Sequence, residues 1–123
     1  MRRTEQTEKI RELQRFNQSY DKEYKFDFEI IYYRKCWNVR NAILDCLGKR
    51  WTDEWKFALT IDNIDDIIEV LKSFNADNWS DGDGSIWDWD EIKPRLRQHI
   101  KDLQVLKRIM KKHDVEVYFY DAY

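Results

Sequence analysis

Apolar and polar positions follow two different periods in the last third of the chain. Between residues 88 and 112, apolar side chains recur three or four positions apart, which is the spacing of an amphipathic helix. Asp88 suits the helix N-cap, with an acidic residue three positions later. Pro94 is compatible with a helix that starts near Asp88 or Asp90, because first-turn amides have no acceptor within the helix. Residues 115–121 then alternate one by one, which predicts a strand directly after the helix.

Helical spacing recurs in three earlier segments, residues 3–19, 30–47 and 62–74. The segment 30–47 is apolar around most of its circumference, so we expect it to be the central helix, with Gly48 as its C-cap. Asp62 is the expected N-cap of the next helix. Together with alternation at 54–60, the pattern predicts an α+β fold that is mostly helical, with about four helices and a small sheet that includes strands near 54–60 and 115–121.

Apolar and polar residues alternate in two further segments of the chain. In the first predicted strand, Trp55, Phe57 and Leu59 alternate with Glu54, Lys56 and Ala58. Residues 24–30 also alternate, but the helical pattern that follows competes with a strand there, and both interpretations stay open.

Composition indicates a folded chain. The 123 residues suffice for one hydrophobic core, and we expect a single globular domain over residues 1–123 with a frayed N-terminal end. Six Trp, seven Tyr and six Phe supply the burial that a disordered chain lacks. In size and composition the chain resembles small single-domain proteins of phages and mobile elements, and no motif narrows that comparison.

Charge is distributed unevenly along the chain. Residues 1–50 hold 12 basic and 8 acidic side chains, residues 51–92 hold 2 and 12, and residues 93–123 hold 8 and 4. An acidic middle therefore lies between two basic ends, while the net charge of −2 gives no overall nucleic-acid footprint. No apolar run has signal-peptide or membrane-spanning character, and two Cys form no disulfide framework. The expected location is the cytoplasm, with no membrane partner.

Catalytic and cofactor motifs are weak in this sequence. Cys36, Cys46, His99 and His113 lack zinc-ligand spacing, and His99 falls on an apolar helix face, so it is expected to be a core histidine. Three glycines do not build the usual phosphate-binding loop, and no cofactor is predicted.

The acidic segment 77–91 offers a second kind of chemistry. Asp81, Asp83 and Asp88 are the carboxylates that a cation would use, but the calcium-loop template fails because Ile86 and Ile92 stand where Gly and Glu are required. Helix capping and loop solvation are the favoured roles of these residues.

Other side chains are better suited to binding than to catalysis. Arg40 projects into an apolar arc, where it must be paired; an ion pair with the acidic middle segment is favoured over ligand binding. Val105 and Ile109 form a second apolar stripe on the last helix, which needs another element or another chain. The candidate binding residues are Arg40, Trp79, Trp87, Trp89, Val105, Ile109, Tyr118 and Tyr120.

Three functional hypotheses follow. The leading one is a small non-enzymatic interaction protein, of inhibitor, immunity or accessory type, that binds a protein partner or forms a homodimer through aromatic and acidic surface. The second is a metal-dependent enzyme that uses the carboxylates of 77–91. The third is regulatory nucleic-acid binding through the basic termini, which the sequence favours least.

Overall fold

The computed structural model describes residues 8–9, 11–12, 31, 36–50, 52, 54–79 and 87–121. These residues form a mostly helical α+β arrangement with three helices and a two-stranded antiparallel sheet. In chain order the elements are α1 (Trp37–Leu47), β1 (Lys56–Leu59), α2 (Ile61–Ser73), α3 (Trp89–Lys112) and β2 (Val117–Tyr120). Three of the four predicted helices and both predicted strands are therefore present. The remaining predicted helix covers residues 3–19; its described residues Glu8, Lys9, Arg11 and Glu12 are helical. Residues 24–30, for which strand and helix both stayed open, lie outside the described residues.

Helix α2 occupies the centre of the described fold. Among the described elements it contacts α1, α3 and β1. Ile64, Ile67, Ile68 and Leu71 of α2 are all buried, as the spacing of this short amphipathic helix requires. The prediction that the segment 30–47 supplies the central helix is wrong for the described elements, because α1 contacts only α2 among them. An apolar circumference shows that a helix is covered on several sides, but it does not identify which helix touches the most neighbours.

Helix α1 starts later than predicted and ends where predicted. Ile31 is not helical, and the helix begins after Cys36, so the predicted start at residue 30 is wrong. Bulky β-branched and aromatic residues at positions 30–33 favour extended backbone as much as helix. Gly48 adopts the left-handed conformation, with φ of 69°, and its N–H and that of Lys49 bond to carbonyls of the last turn, which confirms the C-cap.

The N-cap of α2 is Thr60 rather than the predicted Asp62. The Thr60 hydroxyl accepts a hydrogen bond from the Asn63 amide at 3.1 Å, and the Asn63 side chain accepts one from the Thr60 amide at 2.9 Å. This reciprocal pair satisfies two backbone donors at once, whereas a cap at Asp62 would satisfy one. Asp62 lies instead in the first turn, where the helix dipole favours its charge.

Helix α3 begins as predicted, and Asp88 is its N-cap. The Asp88 carboxylate accepts a hydrogen bond from the Glu91 amide at 2.8 Å. Because the first helical residue is Trp89, Pro94 lies in the second turn, and the carbonyl of Asp90 loses its intrahelical donor. Asp90 is exposed, so water can satisfy that carbonyl.

The two strands pair antiparallel, and their register places some side chains on a face toward the core and others on an exposed face. Phe57 lies opposite Phe119, and these rings stack at 6.2 Å between centroids on the face that meets the core. Lys56 lies opposite Tyr120 on the other face, which is exposed. Trp55 precedes the strand and is 60% exposed, whereas Phe57, which follows it in the same alternation, is buried. Side chains alternate between the two faces of the sheet only within the paired strands, and Trp55 lies just before β1.

Candidate interaction surface

Four side chains form an exposed patch on the outer side of the sheet. Trp55 is 60% exposed, Tyr120 53% and Tyr118 36%, and Lys56 is also exposed. In the register, Lys56 and Ala58 face Tyr120 and Tyr118, so alternation places both tyrosines beside the lysine. We call Trp55, Lys56, Tyr118 and Tyr120 the aromatic face.

The rings of the aromatic face are in mutual contact. The ring of Tyr120 lies 5.9 Å from that of Trp55 and 6.3 Å from that of Tyr118, with interplanar angles of 39° and 52°. The Lys56 ammonium is 4.3 Å from the Tyr118 centroid and 5.6 Å from the Tyr120 centroid, within cation–π range. These contacts hold three large side chains in one continuous surface.

Tyr118 keeps its phenolic proton over a wide pH range. Its hydroxyl donates a hydrogen bond to Glu116 at 2.9 Å, and that bond together with the Glu116 charge raises the pKa of Tyr118 above its ordinary value. The hydroxyl is therefore a neutral polar group at the edge of the aromatic face.

Arg40 is linked to the backbone of the aromatic face through Asp121. Its Nε and Nη2 atoms bond to the two carboxylate oxygens of Asp121 at 2.7 and 2.9 Å, which is a bidentate pair. The Asp121 amide in turn donates to the Trp55 carbonyl at 2.8 Å. The guanidinium also lies over the Trp37 ring, 5.0 Å from its centroid. An ion pair at Arg40 was predicted, but this carboxylate comes from the end of β2 and not from the acidic middle segment.

The three tryptophans nominated from the sequence, Trp79, Trp87 and Trp89, belong to a packed cluster. Trp79 is only 8% exposed, and its Nε1 donates to the Trp87 carbonyl at 2.9 Å. Its ring meets Phe74 edge-on at 5.3 Å and lies 6.2 Å from Trp89. Trp87 is half-buried under the Arg95 guanidinium, 4.6 Å from the ring centroid. Trp79 thus folds back onto the core as expected, and its ring is not accessible to a partner.

Val105 and Ile109 line an open groove beside α3. Ile109 is 4% exposed and Val105 is half-buried, so another part of the chain covers most of the stripe. The groove has a volume of about 310 Å³, and its other lining residues are Glu12, Arg108 and Lys112.

Of the three nominated carboxylates, only Asp88 is among the described residues. It caps α3, and this role is the one favoured for it from the sequence. Asp81 and Asp83 lie outside the described part of the chain.

A cation-ligating geometry occurs elsewhere, at the far end of α3. Donor atoms of Glu8, Glu12 and His113 lie within 4.8 Å of one another, and this is the one such group among the residues described. The Lys112 ammonium contacts both carboxylates, at 2.5 and 3.2 Å, and His113 Nε2 lies 2.6 Å from Glu12. Lys112 therefore already supplies the positive charge here, and its hydrogen bond lowers the pKa of Glu12. Sequence reasoning missed this cluster, whose only local signal is the four-residue spacing of the glutamates.

The remaining reactive side chains are His99, Cys36 and Cys46, of which the first two are buried and the third is half-buried. His99 is 9% exposed, as predicted for a core histidine, and burial with the nearby Arg95 charge lowers its pKa to about 4. Cys36 is fully buried, and burial raises the pKa of the half-buried Cys46, so the Cys46 thiol stays protonated at neutral pH.

Comparison with protein-family models, curated proteins and solved structures finds no match for this chain. Across the described ranges, no helix has both the length and the apolar character needed to cross a bilayer.

Proposed function

We propose that this protein is a non-enzymatic interaction domain that binds a protein partner through the aromatic face. The observation that carries the proposal is the adjacency of Trp55, Tyr118 and Tyr120 on one exposed sheet surface. Tyrosine and tryptophan dominate the energetic centres of protein interfaces because they bury large areas with few rotatable bonds.

The packing and ion pair next to the aromatic face hold it in place, which favours a role in binding. Phe57 and Phe119 stack directly beneath it, and Asp121 joins its backbone edge to Arg40 of α1. A surface whose rings already contact one another loses little conformational freedom when a partner covers it, so more of the burial energy appears as affinity.

The other two hypotheses draw less support from the described residues. Metal-dependent catalysis by the segment 77–91 would need Asp88, whose carboxylate is engaged with the Glu91 amide. Nucleic-acid binding through the basic ends loses the contribution of Lys112, whose ammonium is engaged by Glu8 and Glu12.

Site-specific photo-crosslinking tests the proposal. Benzoylphenylalanine is placed at Tyr120 of the full chain, and at Lys72 as a control, because Lys72 is exposed on α2 and lies outside the aromatic face. After irradiation in native-host cells, we expect a discrete protein adduct from position 120 and none from position 72. An adduct of twice the chain mass identifies the partner as a second copy.

Affinity measurements with the crosslinked partner complete the test. Trp55→Ser is expected to weaken binding at least about tenfold, the usual effect of removing an interface tryptophan, while Lys72→Ser changes it little. The proposal is wrong if position 120 gives no adduct, or if both substitutions weaken binding equally.

A further inference from the structure

The side chains of Glu8, Glu12 and His113 bring a metal-ligating set of donors together, and we call them the Glu–Glu–His cluster. The two glutamates lie one turn apart on the N-terminal helical segment, so they share one side of it. His113 is the C-cap of α3, and its Nε2 atom lies 2.6 Å from a Glu12 oxygen. One donor atom from each residue lies within 4.8 Å of the other two.

The ammonium of Lys112 shows that this cluster stabilises a cation. Its Nζ atom lies 2.5 Å from a Glu8 oxygen and 3.2 Å from a Glu12 oxygen. Two carboxylates therefore share one positive charge, whereas a divalent ion would balance both of them. The Lys112 side chain is 51% exposed, so it can turn into solvent when an ion takes its place.

The chemistry of the donors favours Zn²⁺ over Mg²⁺ and Ca²⁺. Imidazole nitrogen is a good zinc ligand, whereas Mg²⁺ and Ca²⁺ bind oxygen ligands. Donors that share a tetrahedral Zn²⁺ at about 2.1 Å lie about 3.4 Å from one another. The donors of the cluster therefore need to approach by no more than about 1.4 Å. The Glu8 side chain is 51% exposed and is free to make this movement.

His113 gives the cluster a ligand that is already held in place. Its side chain is 8% exposed, and its backbone amide bonds to the Ile109 carbonyl at 2.8 Å. Glu12 lines the open groove beside α3, which gives an ion a path from solvent. A packed imidazole beside an accessible carboxylate distinguishes this cluster from glutamates scattered over a surface.

We propose that Glu8, Glu12 and His113 bind a Zn²⁺ ion, which displaces the Lys112 ammonium. Three protein ligands leave the fourth position of a tetrahedral zinc ion to water. The ion joins the N-terminal helical segment to the end of α3, two parts of the chain that Lys112 joins in its absence. Because the unfolded chain does not hold the three donors together, zinc binding also stabilises the fold.

Zinc titration of the full chain against a chromophoric chelator tests the proposal. We expect one ion per chain with a Kd of about 10 µM or tighter. Mg²⁺ and Ca²⁺ should bind at least about a hundredfold more weakly, because neither uses the imidazole. Glu12→Gln and His113→Asn are each expected to weaken zinc binding at least about tenfold, because each removes a ligand.

Three control variants remove similar groups elsewhere. Glu69→Gln changes an exposed glutamate of α2, His99→Leu removes the second histidine, and Cys46→Ser removes the half-buried thiol. Each should leave zinc affinity within about twofold of the wild type. Circular dichroism establishes that every variant is folded, and Glu8→Gln replaces Glu12→Gln if the latter unfolds.

Lys112 supplies a test in the opposite direction. Lys112→Met should tighten zinc binding about tenfold, because no ammonium then competes for the two carboxylates. Lys111→Met removes the same charge from the neighbouring exposed position of α3, and should change zinc affinity by no more than about twofold.

Four results would overturn the proposal. The first is the absence of zinc binding in both the wild type and Lys112→Met. The second is an equal loss in Glu12→Gln and Glu69→Gln, which would reflect general attraction to acidic surface. The third is loss of binding in Cys46→Ser, which would assign the ion to a thiol. The fourth is an equal gain in Lys112→Met and Lys111→Met, because net charge alone would then explain it.

Discussion

The imidazole of His99 illustrates how the surroundings of a residue set its chemistry. It lies on the buried side of α3 between Leu96 and Leu103, where the charged form loses hydration. Arg95 disfavours the charged form further, and Asp102 opposes this effect only in part. His99 therefore stays neutral at pH 7. A neutral imidazole can pack in an apolar core, and it has no imidazolium proton to donate as an acid.

The low pKa of His99 makes stability depend on pH. The unfolded chain takes up a proton near pH 6.5, whereas the folded chain takes it up only near pH 4. The free energy of unfolding should therefore fall as the pH drops from about 6.5 to about 4, by roughly 3 kcal/mol in total from this group. Urea denaturation across this range measures the slope.

His99→Leu supplies the comparison for that slope. Because leucine does not titrate, the variant should lose the corresponding part of the pH dependence, whatever its stability at pH 7. If its slope equals that of the wild type, other groups cause the pH dependence and the assignment to His99 fails.

At the scale of elements, caps decide where helices begin and end. Thr60 with Asn63 starts α2, Asp88 starts α3, and Gly48 ends α1. The Gly48 cap needs a left-handed backbone, which residues with a Cβ adopt at a cost. An added Cβ at this position would meet no atom within 4 Å, so only backbone strain opposes a substitution.

Gly48→Ala should lower the free energy of unfolding by about 1 kcal/mol. Gly48→Asn is the matched control: asparagine tolerates the left-handed region, so it should lose clearly less. Urea unfolding monitored by circular dichroism measures both. Equal losses for Ala and Asn would mean that backbone strain at the C-cap is not the cause.

For the molecule as a whole, the ion pair of Arg40 with Asp121 is one of several that join parts of the chain far apart in sequence. Arg40 and Asp121 are separated by 81 residues, and their side chains are 22% and 12% exposed. The pair ties the end of β2 to α1, which otherwise contacts only α2 among the described elements. It also sets the backbone beside Trp55, at the edge of the aromatic face.

Asp121→Asn should lower the free energy of unfolding by about 1–3 kcal/mol, because a half-buried guanidinium loses its charged partner. Asp45→Asn removes the exposed pair with Arg50 and should change stability by no more than about 0.5 kcal/mol. Thermal and urea unfolding compare the two. Similar small effects in both variants would show that the Arg40 pair contributes no more than a surface salt bridge.

The sequence by itself determined the elements whose signal is local. The three- and four-residue spacing in α2 and α3, the cap at Asp88, the αL glycine at position 48 and the alternation in both strands are readable from neighbouring residues. The buried position of His99 follows from the same periodicity, because its apolar neighbours lie on one helix face.

Only the tertiary structure decided which distant groups meet. Three features depend on how the elements pack: the pairing of Arg40 with Asp121, the network of Glu12 with Lys112 and His113, and the central place of α2. The spacing of neighbouring residues does not predict how distant elements pack. The exposure of Trp55 was missed for a related reason: it stands one residue before the ladder, so the strand alternation no longer fixes its side. The aromatic face therefore combines two tyrosines that the sequence nominated with a tryptophan that the fold added.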